Sequence, residues 1–355
     1  MKILLLTRYG QLGASSRMRF LLYVPSLEGA GIECSVAPLF DDNQLAERYR
    51  KKRYGFSSLV QSYVRRLLML FKKRYFDLVW IEKEALPWLP AWFERWFLSD
   101  VPYVLDYDDA IFHNYDLHSS PVVRHFFSNR IDHLMADARL VVAGNSYLAQ
   151  RAREVGAKVE IVPTLIDLDR YSAKNISSDE VDLLKIVWVG SPSTIRYLKL
   201  LYKPLVELSR QFVFKLRVIG ADTFAIEGVN VECVPWSEAT EAASIRECDV
   251  GVMPLLDSPW ERGKCGYKLI QYMACGLPVV ASPVGVNSEI VNNGQNGYLA
   301  DTDGAWVDAL GALLGDAVLR QQMGAAGRKR VEDDYCIQQV APRMIGLLRA
   351  AGEGC

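Results

Sequence analysis

Short apolar runs alternate with stretches of helical period along most of the chain. KILLLT (2–7), ECSVAPLF (33–40), DLVWIE (77–82), YVLDY (103–107), LVVAG (140–144) and VEIVPT (159–164) predict strands. Helical spacing between them, as in Arg19–Ala30 and Ser146–Val155, predicts crossover helices. Near-continuous apolar strands alternating with helices imply a parallel sheet covered on both faces. The pattern then restarts. KIVWVGS (185–191), FKLRVIGA (214–221), VNVECVPW (229–236), DVGVMPL (249–255) and LPVVAS (277–282) predict five more strands. Polar, turn-rich DLDRYSAKNISSDEVDLL (167–184) separates the two series. The expected class is α/β: a first domain over 1–168, a linker over 169–184, a second domain over 185–330 and a helical tail over 331–355. Two doubly wound sheets in tandem would bind ligands at the carboxyl ends of their strands.

Composition narrows the field. Half of the 355 residues are hydrophobic and 23% are charged, which excludes a disordered or fibrous chain. The formal net charge of -1 argues against a globally basic nucleic-acid binder, and no recognition motif is present. The charge is unevenly spread: 22 Lys and Arg against 18 Asp and Glu in 1–165 give +4, leaving -5 for the rest. Seven cysteines without a CxxC read as reduced thiols, and four histidines form no zinc pattern. The start has four consecutive apolar residues before Thr7 and Arg8, too few for a secretory signal. No run is long enough to span a membrane. The expected location is the cytoplasm, in solution or on a membrane surface.

Four segments carry candidate chemistry. In RYGQLGASSRMRF (8–20), Gly13, Ser15 and Ser16 lead into a helix with Arg17 and Arg19. That arrangement suits an anion or is a plain strand-to-helix turn. DYDDAIFH (106–113) puts three acids and His113 after a strand. Its readings are a hard-cation site, hydrogen bonding to a polyol or positioning of His113, or structure alone. VGSPSTIRYLKLL (189–201) offers Ser191, Ser193 and Thr194 as helix caps after Gly190, with Arg196 and Lys199 just beyond. It reads as a diphosphate site or an ordinary cap. DSPWERGKCGYKLIQYMACGLPVVASPVGVNSEIVNNGQNGYL (257–299) has Gly263 and Gly266 before a helix over Tyr267–Cys275, with Lys264 and Lys268 at its mouth.

MACGLPVVAS followed by SEIV…NGYL resembles the donor domain of nucleotide-sugar glycosyltransferases of the GT-B fold, family 4 type. The order of ASSRMRF, DYDDAIF and GSPST is similar to the same family. The resemblance implies two Rossmann-like domains facing across a cleft, with the final helix crossing back to the first. The first would take the acceptor and the second a nucleoside-diphosphate sugar. It also implies transfer with retention, no cofactor and no metal. One departure stands out: the family's paired Glu positions hold Gly263 and Gln271 here, while Gly266 matches its internal glycine. Gln271 could still hydrogen-bond a ribose. Glu261 and Asp257 are candidates for the missing acid. Charge growing on the leaving phosphate would be met by the Gly190–Thr194 loop, Arg196, Lys264 and Lys268. Asp109 and His113 would lie near the reacting sugar, and Trp236 beside the nucleobase or in the core. The alternatives are another GT-B activity, such as an epimerase or phosphorylase, and a non-catalytic partner that kept the fold.

Between Arg48 and Phe76 lie ten cations and no acid, interleaved with apolar residues at three- and four-residue spacing. A basic amphipathic helix reads as a contact with an anionic membrane surface, or as a solvated helix packed on its own domain. A lipid-linked acceptor would give the first reading a purpose.

Overall fold

The computed structural model describes residues 1–51, 53–173 and 183–353. It divides into two compact units: Met1–Leu165 with Arg262–Cys265 and Val340–Cys355, and Ile166–Glu261 with Gly266–Gln339.

The first unit is built on six parallel strands: β1 (Lys2–Leu6), β2 (Glu33–Val36), β3 (Leu78–Glu82), β4 (Tyr103–Tyr107), β5 (Leu140–Ala143) and β6 (Val159–Ile161). Their order is β2-β1-β3-β4-β5-β6. Every residue of β3, β4 and β5 is buried, as expected of a parallel sheet with helices on both faces. Fully burying each Leu, Val or Ile is worth roughly 1.5–3 kcal/mol. The chain leaves β1 first toward β2 and later toward β3. The carboxyl ends of β1 and β3 therefore flank the point where the order reverses, the usual ligand position in such sheets. From Val340 on, the last helix (Ile337–Gly352) belongs to this unit, where Arg343 donates to Ile161 O and Arg349 to Ala30 O.

The second unit holds β7 (Leu184–Val189), β8 (Phe214–Ile219), β9 (Asn230–Val234), β10 (Val250–Met253), β11 (Val279–Ala281) and β12 (Gly297–Leu299). All pair in parallel in the order β12-β11-β10-β7-β8-β9. This is the Rossmann order, with its reversal between β7 and β10. β12 escaped the sequence pattern because it starts at a glycine straight after the polar run NNGQN, whereas the equally short β6 and β11 lie in apolar runs. Its Gly297 is needed where a Cβ would sit 2.2 Å from Val279 O.

Three local expectations change. The continuous helix over Arg19–Ala30 is instead a helix ending at Arg19, a 3-10 turn (Leu21–Tyr23) and a new helix from Val24. Pro25, which lacks an N–H, sits in the first turn of that new helix. The basic stretch is not one helix: Asp42–Lys51 and Phe56–Phe71 are separate, with Gly55 capping the second. Nor do its cations all face solvent. Arg66 is buried and donates to Thr7 O, and buried Lys73 bonds Phe97 O and pairs with Asp100. Lys52, and 174–182 of the expected linker, lie outside the described residues.

Candidate functional site

In the second unit the expected donor residues gather at the carboxyl ends of β7, β8 and β9. Gly190 follows β7, and a Cβ there would strike the buried Trp188 ring at 2.2 Å and Thr194 Oγ1 at 2.7 Å. Gly220, after β8, has φ +92°, and a Cβ there would lie 2.0 Å from Gly190 O. Two backbones thus meet where side chains would keep them apart, and Trp236 stands beside Gly220. Thr194 and Ser193 do not cap the next helix with their side chains. The Ser191 N–H donates to Thr194 Oγ1 (3.0 Å), which donates to Ser191 O (3.0 Å), so the hydroxyl closes the turn on itself. The Ser191 and Ser193 hydroxyls lie 2.8 Å apart, with Ser193 exposed.

Cations and one buried acid surround this turn. The Lys268 ammonium stands 4.6 Å above the Trp188 ring, on the same tryptophan that underlies Gly190. Exposed Arg196 donates to Tyr197 OH at 2.9 Å and lies 3.5 Å from Glu261. Glu261 is buried and accepts from Tyr197 OH and Ser258 Oγ. Both its oxygens are therefore engaged inside the unit, and it orients Tyr197 and Arg196. Asp257 is exposed. Trp236 donates through Nε1 to Glu241 at 2.7 Å.

Three further expected residues have partners of their own. Gln271 is buried, its amide donating to Tyr171 OH at 2.8 Å. Gly266 caps the Tyr267–Ala274 helix at φ +66°, with no room for a Cβ beside Ile290 and Val286. Lys264 belongs to the first unit, 3.8 Å from Asp109. Its segment is anchored there: Asn145 Nδ2 donates to Lys264 O at 2.9 Å, and buried Cys265 donates to Asp108 O at 3.1 Å.

The first unit's own cluster is more heavily charged. Gly13 caps the Ala14–Arg19 helix. Buried Ser16 donates to Glu82 Oε2 (2.5 Å) and accepts from Tyr9 N–H (2.9 Å). Arg17 is buried and donates to Gln11 O at 2.7 Å, back into its own loop. The three acids of DYDDAIF do not converge. Asp106 pairs with Arg19 at 2.7 Å, while Asp108 lies 2.8 Å and Asp109 3.6 Å from Lys83. Burial pushes the Asp108 carboxyl up, but Lys83 and the Ser15 hydroxyl outweigh it and hold it below the usual range. Burial dominates at Asp109, which is raised despite Lys83 and Lys264. Among the described residues no three His, Cys, Asp or Glu side chains are arranged to hold a metal ion. His113 has both ring nitrogens engaged, Nδ1 with Asp116 and Nε2 with Tyr147 OH, each at 2.8 Å.

Lys83 was missed in the sequence. Its signal was the acid-base-acid triplet ending β3, a polar cluster at a strand end like that of DYDD. It adopts φ +66°, uncommon for a side chain with a Cβ.

Asp106 carries a pH signature. Burial, opposed by Arg19, raises its carboxyl from 3.8 to about 6. The folded chain then holds this proton more tightly than the unfolded chain. The group's stabilising contribution is full below pH 3.8 and is lost as the pH rises through about 6. Asp106→Asn should flatten the dependence of the thermal midpoint on pH in that window. An unchanged slope would assign it to other groups.

Comparison with known proteins fits this geometry. The glycosyl transferases group 1 family model matches residues 184–316, the stretch that builds the second sheet. Anabaena Alr3699/HepE, solved with UDP, superposes with a TM-score of 0.70 at 16% identity, covering 99% of this chain and 100% of that one. The chain has the GT-B fold of glycosyltransferases. WaaG, a glycosyltransferase of lipopolysaccharide biosynthesis, superposes with a TM-score of 0.67 at 13% identity, over 98% of this chain and 99% of its own. Among curated relatives, D-inositol 3-phosphate glycosyltransferase of Pseudarthrobacter chlorophenolicus is 27% identical over 232 residues, 57% of this GT-B chain. The chain spans 54% of that relative's length. Phosphatidyl-myo-inositol mannosyltransferase of Mycobacterium leprae is 36% identical over 96 residues, 26% of this chain and 25% of its own.

Proposed function

We propose that the protein transfers a sugar from a nucleoside-diphosphate sugar to a glycan or lipid-linked acceptor in cell-surface polysaccharide synthesis, with retention and without a metal. The observation that carries this reading is the gathering of Gly190, Ser191, Thr194, Arg196, Trp236 and Lys268 around the carboxyl ends of β7, β8 and β9 in a Rossmann sheet. Neighbours of this fold have been solved with UDP and with UDP-glucose, which supports a nucleotide sugar.

In this mechanism negative charge grows on the β-phosphate as the glycosidic bond breaks. Lys268 and Arg196 meet it, and fixed cations lower the barrier because they need no reorganisation. The helix after the Gly190 turn has only four residues, so the cations and turn N–H groups do this work rather than a helix dipole. Glu261 holds Arg196 and Tyr197 in register. On the acceptor side Asp109, beside Lys83, accepts a hydrogen bond from the attacking hydroxyl, and the leaving phosphate takes its proton. His113 would have to release Tyr147 or Asp116 to act as a base. We propose that this work takes place in the cytoplasm, at the inner face of the plasma membrane.

The test is a screen of nucleotide sugars for thermal stabilisation and for release of nucleoside diphosphate. At least one should stabilise the protein and turn over, with activity surviving excess EDTA. Metal independence is expected because Asp106, Asp108 and Asp109 are each matched by Arg19 or Lys83. Activity lost in EDTA and restored by magnesium or manganese would reassign the acids to a metal. If no nucleotide binds, the chain is a non-catalytic relative that kept the fold.

A further inference from the structure

The Phe56–Phe71 helix is apolar around more of its circumference than its own unit covers. Leu70, Leu67 and Tyr63 pack into the first unit's core. The neighbouring stripe does not: Phe56 is 83% exposed and Phe71 65%, with Val60, Val64 and Leu68 also exposed between them. Spacings of four, four, four and three residues align these five along one side of the helix.

The stripe continues onto the Ala91–Leu98 helix. Phe71 meets Phe97 edge-on at 5.2 Å, and Phe97 meets Trp96 at 4.8 Å and Phe93 at 5.2 Å. Trp92 and Trp96, one helical turn apart, are 68% and 63% exposed. Soluble monomers rarely leave so many large apolar side chains contiguous in water.

Charge identifies the occupant. Between residues 48 and 98 the exposed cations among the described residues are Arg48, Arg50, Lys51, Arg53, Arg65, Lys72, Arg74 and Arg95. The one exposed acid within that span is Asp77, since Glu82, Glu84 and Glu94 are buried; acids outside it pair with Lys51 (Glu47), Arg65 (Asp41), Arg74 (Asp100) and Arg95 (Asp137), so cations still outnumber acids around the stripe. Apolar side chains ringed by cations, with tryptophans at the edge, match the boundary between lipid headgroups and acyl chains. We infer that the Phe56–Phe71 and Ala91–Leu98 helices form a surface that inserts into an anionic lipid bilayer. This goes beyond attraction by charge alone: the apolar stripe and tryptophans enter the interface, and the cations hold the headgroups. Among the described residues no helix is long and apolar enough to cross a membrane, so the contact lies in the plane of one leaflet. The inference does not depend on the donor reading.

The test is co-sedimentation of the full chain with phosphatidylcholine vesicles, with and without phosphatidylglycerol. Wild type should bind the anionic vesicles, and binding should fall but persist at about 0.5 M salt, because the apolar part is unscreened. Leu68→Gln with Trp92→Ser and Trp96→Ser should weaken partitioning by about tenfold or more and abolish the salt-resistant fraction. Lys72→Glu with Arg74→Glu should remove the preference for anionic lipid. These side chains face solvent, so thermal midpoint and nucleotide binding should match wild type, which separates this result from failure of the donor site. No sedimentation with either vesicle, or triple-variant binding equal to wild type, would overturn the inference. Light scattering showing a dimer that the triple variant breaks would assign the surface to a second copy of the chain.

Discussion

Arg19→Met should cost the first unit about 3–5 kcal/mol, the usual penalty for removing one member of a buried ion pair. Arg19 and Asp106 are each about 1% exposed, and the guanidinium also donates to Val162 O at 2.7 Å. Methionine fills much of the volume but donates nothing. It leaves the Val162 carbonyl unpaired and a carboxylate in a site whose burial already disfavours its charge. The penalty should shrink toward pH 5, where Asp106 accepts a proton at modest cost. Arg19→Met combined with Asp106→Leu should recover most of the loss, because a matched apolar pair can replace a buried salt bridge. Urea unfolding at pH 7.5 and pH 5 reads both effects. A single-variant loss below about 1 kcal/mol would mean that water already reaches the pair.

The second large effect concerns the donor. Lys268→Ala should weaken nucleoside-diphosphate binding by about 1.5–3 kcal/mol, roughly 10- to 150-fold, the scale of a charge-assisted hydrogen bond. Nucleoside affinity should barely move, since Lys268 supplies charge for a phosphate while the proposed base contact is a different side chain, Trp236. Lys268→Arg should retain part of the affinity. Titration calorimetry with diphosphate and nucleoside separates the two. A folded Lys268→Ala that binds diphosphate as wild type does would remove Lys268 from the site.

The sequence by itself determined the architecture. Apolar runs such as LVWIE and LVVA, repeated between helical stretches, point to a parallel sheet, and eleven of the twelve strands among the described residues were legible as short strand-like runs. It also marked the Gly190 turn, because glycine, serine and threonine beside a strand end are local chemistry. The partners of the charged groups were decided only in three dimensions. Nothing local says that Asp106 belongs to Arg19, 87 residues away, or Lys264 to Asp109. Nor does composition tell that Arg66 and Lys73 are buried while Trp92 and Trp96 face solvent. Helical period shows that a face is apolar, but whether that face is covered depends on what the rest of the chain brings against it. Ion pairs likewise form wherever folding brings opposite charges together out of water, and that distance has no counterpart in spacing along the chain.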